Sequence, residues 1–262
     1  YGLVGSEMCI RDRDQLYTMN GTDMERQDLA GEAYFMRAFS YFMLANLYGK
    51  PYHPATANED LCVPLNKEIG LSDKMMKRAT NAAVYAQMEE DINKAIQCFK
   101  AIGGEKTIFR PNLPSAYLLA SRIALFQEKY DVTILYCDSV FKVATQPLYK
   151  LQEKKDHYFF SLANKEILLS YGLTSLETHM KEDFRYTGNL VVSDDLLALY
   201  SEDDLRLTNY FKNTIGNQTR PTNKQYSVYT PIKWTKNSAT VYANALRISE
   251  AYLNLSLIHI SE

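Results

Sequence analysis

Residues 31–49 read GEAYFMRAFSYFMLANLYG, and this stretch decides the fold class of the chain. It belongs to a longer segment, residues 23–47, whose apolar side chains recur every three or four positions: Leu29, Ala33, Met36, Phe39, Phe42 or Met43, and Leu47. This spacing predicts an amphipathic helix that ends near Gly49. Arg37 lies inside the apolar segment, so we expect it to form a partly buried ion pair with a carboxylate.

A second helix is predicted to begin after Thr80, whose hydroxyl can cap a helix N-terminus. Its apolar residues again follow helical spacing: Val84, Met88, Ile92, Ala95, Ile96 and Phe99. Three consecutive acids, Glu89, Glu90 and Asp91, fan around this helix because neighbours on a helix do not face each other. We interpret them as a solvated face.

A helical hairpin is predicted next, with arms at residues 115–128 and 130–143, and its spacing is that of a tetratricopeptide-like repeat. Beyond residue 151 the helical pattern weakens. There the sequence predicts a strand at 167–171, a short helix at 193–200, a long surface loop at 216–231 and a last helix at 241–254. The predicted fold class is therefore mostly α, a tetratricopeptide-like helical-hairpin superhelix with long irregular loops and minor β structure.

The two ends of the chain are related through the genetic code. Residues 6–13 read SEMCIRDR and residues 255–262 read LSLIHISE, and one short DNA string read on opposite strands can encode both. The string resembles a transposon-end adapter used in sequencing libraries. We therefore expect residues 1–13 and 255–262 to be adapter-derived tags, and residues 14–254 to be one helical domain truncated at both ends.

Charge and composition exclude some classes of function. The formal net charge of −2 gives no reason to expect a nucleic-acid partner. Outside the expected tags, the histidines are His53, His157 and His179, and no nucleophile motif accompanies them. Cys62, Cys98 and Cys137 are too far apart for a zinc site and are expected to be buried thiols. We therefore expect no catalytic residues, no metal and no cofactor.

Several motifs, taken in order, resemble the SusD/RagB family. The long-helix stretch at residues 31–49 is followed by Tyr85 with Glu90-Asp91-Ile92, by the hairpin and by Glu166-Ile167. The later matches are a leucine, tyrosine, Asp-x-Arg stretch (Leu196, Tyr200, Asp204, Arg206) and the closing segment RISEAYLN at residues 247–254. In that helical scaffold we interpret Arg37, Arg247 and Glu250 as structural ion-pairing residues.

The resemblance implies a surface-exposed outer-membrane lipoprotein that binds oligosaccharides or other nutrients. It implies that the protein works with a SusC-like TonB-dependent transporter barrel and is not an enzyme. The signal peptide and the lipid-bearing cysteine of the family would lie upstream of this sequence. The alternative is a tetratricopeptide-like adaptor that binds peptides in a concave groove.

Aromatic residues in predicted loops are the candidate ligand contacts, because the C–H faces of sugars stack on aromatic rings. The chain has 20 Tyr and 11 Phe but 1 Trp, and most of these rings are expected to pack helices. Two of the predicted ligand contacts, Tyr52 and His53, lie in the first loop. The others are Tyr226 and Tyr229 in the predicted loop at 216–231, and Trp234 just after it.

Overall fold

The computed structural model describes residues 20–66, 76–104, 107–144, 148, 164–173, 192–216, 226–231 and 242–261. In chain order its elements are α1 (Asp23–Tyr48), β1 (Leu61–Pro64), β2 (Arg78–Thr80), α2 (Asn81–Ile102), α3 (Leu113–Phe126), α4 (Tyr130–Val143), β3 (Ile167–Leu173), α5 (Asp194–Ala198), α6 (Leu205–Tyr210), β4 (Phe211–Gly216), β5 (Tyr226–Pro231), β6 (Tyr242–Arg247) and α7 (Ile248–Ser261). The chain divides into two compact units, residues 1–146 with 246–262, and residues 147–245. The predicted mostly helical fold with minor β structure is confirmed.

Helices α1, α2 and α3 begin where side chains can satisfy free backbone N–H groups. At α1, the Glu25 N–H donates to the Thr22 hydroxyl at 3.2 Å, and the Thr22 N–H donates to the Glu25 carboxylate at 2.8 Å. Thr80 caps α2 in the predicted way, because its hydroxyl accepts from the Ala83 N–H at 3.3 Å. Asn112 caps α3 through the Ser115 N–H at 2.9 Å. These caps fix the start of each helix locally.

Small residues of α1 allow α2 to approach very closely. A Cβ atom added at Gly31 would lie 2.8 Å from the Phe99 ring and 2.9 Å from the Cys98 Cβ. The buried residues of α1 are accordingly mostly small or aromatic: Ala30, Gly31, Ala33, Phe35, Arg37, Ala38, Tyr41, Phe42 and Ala45. The predicted apolar face of α1 was therefore partly wrong. Leu29, Met43 and Leu47 are exposed, because the close contact with α2 selects small residues for the interface.

Two charged residues cross that interface. The Arg37 guanidinium donates from Nε to Asp91 Oδ2 at 2.6 Å and from Nη2 to Asp91 Oδ1. Asp91 is fully buried, and Gln87 Nε2 donates to its Oδ1 at 3.1 Å. The interpretation of Asp91 as part of a solvated face was wrong. Its position on α2 turns it toward α1, while Glu90 pairs with Lys94 on the outside.

The rest of the first unit is a continuous helical stack. Helix α3 packs against α2 on one side and α4 on the other, and α7 packs against both α3 and α4. The hairpin turn between α3 and α4 places Glu128 at a φ of 62°, a conformation that usually favours glycine. Arg122 on α3 and Glu250 on α7 form a bidentate pair at 2.5 and 2.6 Å. A second polar contact joins Asn254 to Ser121 at 3.2 Å.

The second unit contains short helices and strands. The Asp204 carboxylate caps α6 by accepting from the Arg206 N–H at 2.9 Å and binds the Arg206 side chain. The Arg206 guanidinium lies 4.8 Å from the centre of the Tyr200 ring, which contacts Phe211 edge-on. Strand β4 pairs antiparallel with β5, and β3 pairs with β6. The Asp-x-Arg stretch therefore builds a local turn.

Two predictions for the C-terminal part were wrong. Residues 226–231 of the predicted surface loop form β5 and pair with β4, from Gly216 opposite Tyr226 to Phe211 opposite Pro231. The last helix begins at Ile248, because residues 242–247 form β6. Strand pairing decided both cases, because β5 pairs with the preceding strand β4 and β6 pairs with the distant strand β3. Helix α7 continues through residues 255–261, the segment that the coding argument assigns to a tag.

No helix in the described ranges combines the length and the hydropathy that spanning a bilayer requires.

The buried pair gives a stability prediction. Arg37→Ala should lower the free energy of unfolding by about 3–5 kcal/mol, because it leaves the Asp91 carboxylate buried without a counter-charge. Urea denaturation of both proteins measures the difference. The control is Arg26→Ala, which removes an exposed pair with Asp23 and should cost less than about 1 kcal/mol. Equal losses in the two variants would contradict the structural role of Arg37.

Candidate functional site

The backbone of the loop between α1 and β1 accepts hydrogen bonds from Asn81 at the start of α2. Asn81 Nδ2 donates to the Lys50 carbonyl at 2.9 Å, and the Asn81 N–H donates to the Asp60 carbonyl at 2.8 Å. The Asp60 carboxylate also accepts from the Thr56 hydroxyl at 2.6 Å and pairs with Lys50. These hydrogen bonds and the Lys50 charge lower the pKa of Asp60. We call this loop, residues 49–60, the platform, because hydrogen bonds anchor it at Lys50 and at Asp60.

Tyr52 and His53 lie on this platform. The half-buried Tyr52 ring packs on Tyr85 with ring centres 4.7 Å apart. Burial raises the pKa of Tyr85 to about 12, so that ring is a neutral part of the core. His53 is exposed, and its Nδ1 accepts from the Ala55 N–H at 3.3 Å. Its Nε2 makes no hydrogen bond to a described residue, so it is available to a ligand.

A cleft lies beside this loop, between the C-terminal half of α1 and the short β1–β2 sheet. Its volume is about 720 Å³, within the range of small-ligand sites. The cleft is lined by Tyr41, Leu44, Tyr48, Cys62, Val63, Pro64, Asn66, Met76 and Arg78. Most of these side chains are apolar, and polar groups stand at a few positions only.

The polar groups of the cleft differ in how many hydrogen bonds they already make within the protein. The Tyr41 hydroxyl accepts from the Asn66 N–H at 3.0 Å and donates back to the Asn66 carbonyl at 3.4 Å. The Arg78 guanidinium donates to the carbonyls of Cys62, Leu61 (2.8 Å) and Tyr48 (3.4 Å). Tyr48 is 68% exposed. The cleft is thus lined by an exposed tyrosine and by an arginine that backbone carbonyls hold in place.

The sequence did not predict this cleft. The end of α1 was predicted near Gly49, and no role was assigned to Tyr48 or Arg78. The signal that could have found them is the pairing of residues 61–64 with 78–80, which brings Arg78 back to the end of α1. Such pairing is a long-range property that helical periodicity does not reveal.

The other predicted ligand residues lie elsewhere in the chain. Tyr226 and Tyr229 lie on β5 of the second unit, opposite Gly216 and Asn213 of β4. Trp234 lies outside the described residues. Tyr52 and His53 are adjacent on the first-unit platform, and neither lines the cleft.

Two of the three predicted ion-pairing residues, Arg37 and Glu250, lie in helices α1 and α7. Arg37 pairs with Asp91, and Glu250 pairs with Arg122 of α3. Arg247 is the last residue of β6 and is half-buried. Burial lowers the pKa of the Arg37 guanidinium. The hydrogen bonds and the charge of Asp91 outweigh that effect, so the pKa of Arg37 is raised. Within the part of the chain that the structure covers, no cluster of His, Cys, Asp or Glu could hold a metal ion.

Comparison with known proteins identifies the scaffold. Residues 13–125 match the model of a SusD-like family described as starch-binding and associating with the outer membrane. A SusD superfamily protein of Bacteroides thetaiotaomicron VPI-5482 is similar over 96% of this chain and 60% of its own, with a TM-score of 0.78 and 22% identity. No curated protein matches this sequence.

Two further solved structures share the fold. A SusD-like carbohydrate-binding protein of Bacteroides vulgatus ATCC 8482 aligns with 96% of this chain and 56% of its own, at a TM-score of 0.76 and 17% identity. The surface glycan-binding protein A of Bacteroides uniformis aligns with 96% of this chain and 59% of its own, at a TM-score of 0.64 and 16% identity. The chain therefore spans less than two thirds of each of these three structures. These structures show that the fold is shared, and the family match over residues 13–125 confirms the resemblance found in the sequence.

Three cysteines of the first unit, Cys62, Cys98 and Cys137, give a chemical test of its packing. Burial raises the pKa of Cys62 and Cys98, and it raises the pKa of Cys137 to about 11. At pH 8 roughly one Cys137 side chain in a thousand would be a thiolate, the reactive form. We expect these three thiols to react slowly with a disulfide reagent in the native protein and rapidly in urea. Mass spectrometry of the labelled peptides, with free cysteine as the reference, measures this. Fast native labelling of Cys137 would contradict the packing of α4 against α7.

Proposed function

We propose that this SusD/RagB-family protein binds oligosaccharides or a related nutrient at the outer membrane and is not a catalyst. The observation that carries the proposal is the match of residues 13–125 to a family described as starch-binding and associating with the outer membrane. Solved structures of the same fold are described as carbohydrate-binding and surface glycan-binding proteins. The proposal extends those descriptions to this chain.

The first unit is suited to binding because its helices are rigid and its connecting loop is anchored. Hydrogen bonds from Asn81 fix both ends of the loop that carries Tyr52 and His53. A ligand that meets such a loop does not have to order it, so less free energy is lost on binding. We propose Tyr52 and His53 of the first unit as sugar contacts, and we propose the same role for Tyr226, Tyr229 and Trp234.

Aromatic rings suit this role because they offer a flat apolar face to the C–H side of a sugar ring. Tyr52 keeps part of its ring exposed while Tyr85 supports the opposite side. The neighbouring His53 can donate or accept a hydrogen bond with a sugar hydroxyl through its unengaged nitrogen. A stacking ring beside a hydrogen-bonding side chain is the pairing that saccharide recognition requires.

The binding proposal predicts that the chain is retarded in native gels containing a polysaccharide such as starch. Trp234→Ala and Tyr52→Ala should each weaken binding about fivefold to tenfold, because each removes a stacking surface worth about 1 kcal/mol. Calorimetric titration with maltoheptaose and with a panel of other oligosaccharides measures the affinity. The control is Tyr130→Ala, which removes a partly exposed tyrosine from α4. Binding of peptides and of no saccharide would support the adaptor alternative instead.

We further propose that the protein is a surface-exposed lipoprotein and that its partner is a SusC-like TonB-dependent transporter barrel. The family description, which includes association with the outer membrane, supports this proposal. A binding protein held at the mouth of a transporter raises the local concentration of its ligand there.

The partner proposal predicts that the protein fractionates with the outer membrane and is cut by protease added to intact cells. It should also co-purify with a transporter barrel after mild detergent extraction. Immunoblots of fractionated cells measure both, with a periplasmic protein as the control for leakage. Recovery in the soluble fraction, without any barrel, would contradict the proposal.

A further inference from the structure

The Arg78 guanidinium differs from those of other arginines in its charge environment. The arginines that pair with Asp or Glu side chains include Arg26, Arg37, Arg110, Arg122 and Arg206. Arg78 makes its hydrogen bonds to backbone carbonyls only, and no carboxylate of a described residue lies within ion-pair distance. Its positive charge therefore faces the cleft without a compensating anion.

The carbonyl contacts hold Arg78 in a fixed position. Its Nε and Nη2 are used by Cys62, Leu61 and Tyr48, whereas Nη1 makes no hydrogen bond to a described residue. A guanidinium that is already oriented loses little freedom when it binds a ligand. The unengaged N–H groups fit a carboxylate, which accepts hydrogen bonds in the plane of its two oxygens.

Tyr48 lines the same cleft as Arg78. The Tyr48 backbone carbonyl accepts from Arg78 Nη2 at 3.4 Å, so the two residues are neighbours at the end of α1. Tyr48 is 68% exposed, and its hydroxyl has no partner among the described residues. Met76, also partly exposed, adds apolar surface to the same cleft. The cleft thus combines an apolar face with one fixed positive charge.

We propose that this cleft binds a carboxylate-bearing sugar, such as a uronic acid residue of an acidic glycan. The sugar ring stacks on Tyr48, and its carboxylate accepts hydrogen bonds from Arg78. This inference rests on the proposed glycan-binding function and adds a ligand class and a site to it. Neither Tyr48 nor Arg78 belongs to the loop residues proposed above.

The test compares trigalacturonate with maltotriose by calorimetric titration of the intact chain. We expect trigalacturonate to bind more tightly, and its affinity to fall as salt is raised because the attraction is between charges. Arg78→Gln and Tyr48→Ala should each weaken trigalacturonate binding about tenfold and change maltotriose binding less than about twofold. Arg206→Gln is the matched control, because it removes an exposed arginine that already pairs with Asp204.

Each outcome decides between the two proposals. Because Arg78 also holds β1 and the end of α1, its variant is compared with the parent protein by thermal melting. If Arg78→Gln does not fold, the exposed Tyr48→Ala variant decides. Unchanged trigalacturonate affinity in folded Tyr48→Ala overturns the inference, as does binding of maltotriose without binding of trigalacturonate. Both results leave glycan binding intact. Failure of every saccharide to bind overturns the proposed function itself.

Discussion

The buried ion pair between Arg37 and Asp91 is the constraint on which the first unit depends. A carboxylate with no exposed surface is tolerated only when a counter-charge and further hydrogen bonds replace water, and Arg37 and Gln87 supply them. Both partners lie at the contact between α1 and α2, so the pair also specifies how these helices face each other. Gly31 adds a steric constraint at the same interface, because any side chain there would collide with Phe99.

The position of the platform and of the cleft follows from that helix pair. The end of α1 and the start of α2 carry the groups that organise the chain between them: Asn81 anchors the loop, and Arg78 ties β1 to α1. The Tyr48 carbonyl, at the end of α1, accepts from Arg78 because it has no partner within the helix. The accepting carbonyls of Lys50 and Cys62 lie in the loop and in β1. A functional surface is thus built from irregular chain, while the helices supply the rigidity that such chain lacks.

The arginines of this unit differ in whether a carboxylate of the protein already neutralises their charge. Arg37 and Arg122 are committed to carboxylates within the scaffold. Arg78 is fixed by neutral carbonyls and keeps its charge for another group. The difference is electrostatic, because a carbonyl orients a guanidinium without neutralising it. The residue type alone therefore does not distinguish a structural arginine from a candidate binding arginine. The group that accepts its hydrogen bonds, a carboxylate or a backbone carbonyl, makes that distinction.

The long helices, the Thr80 cap and the family resemblance could be predicted from the sequence, because periodicity and capping act over a few residues. The stripe from Val84 to Phe99 and the Thr80 cap were predicted correctly for this reason. It did not determine that Asp91 is buried, that residues 226–231 form a strand, or that Arg78 reaches Tyr48. Those facts depend on contacts between separate helices and strands, which short-range patterns in the sequence do not specify.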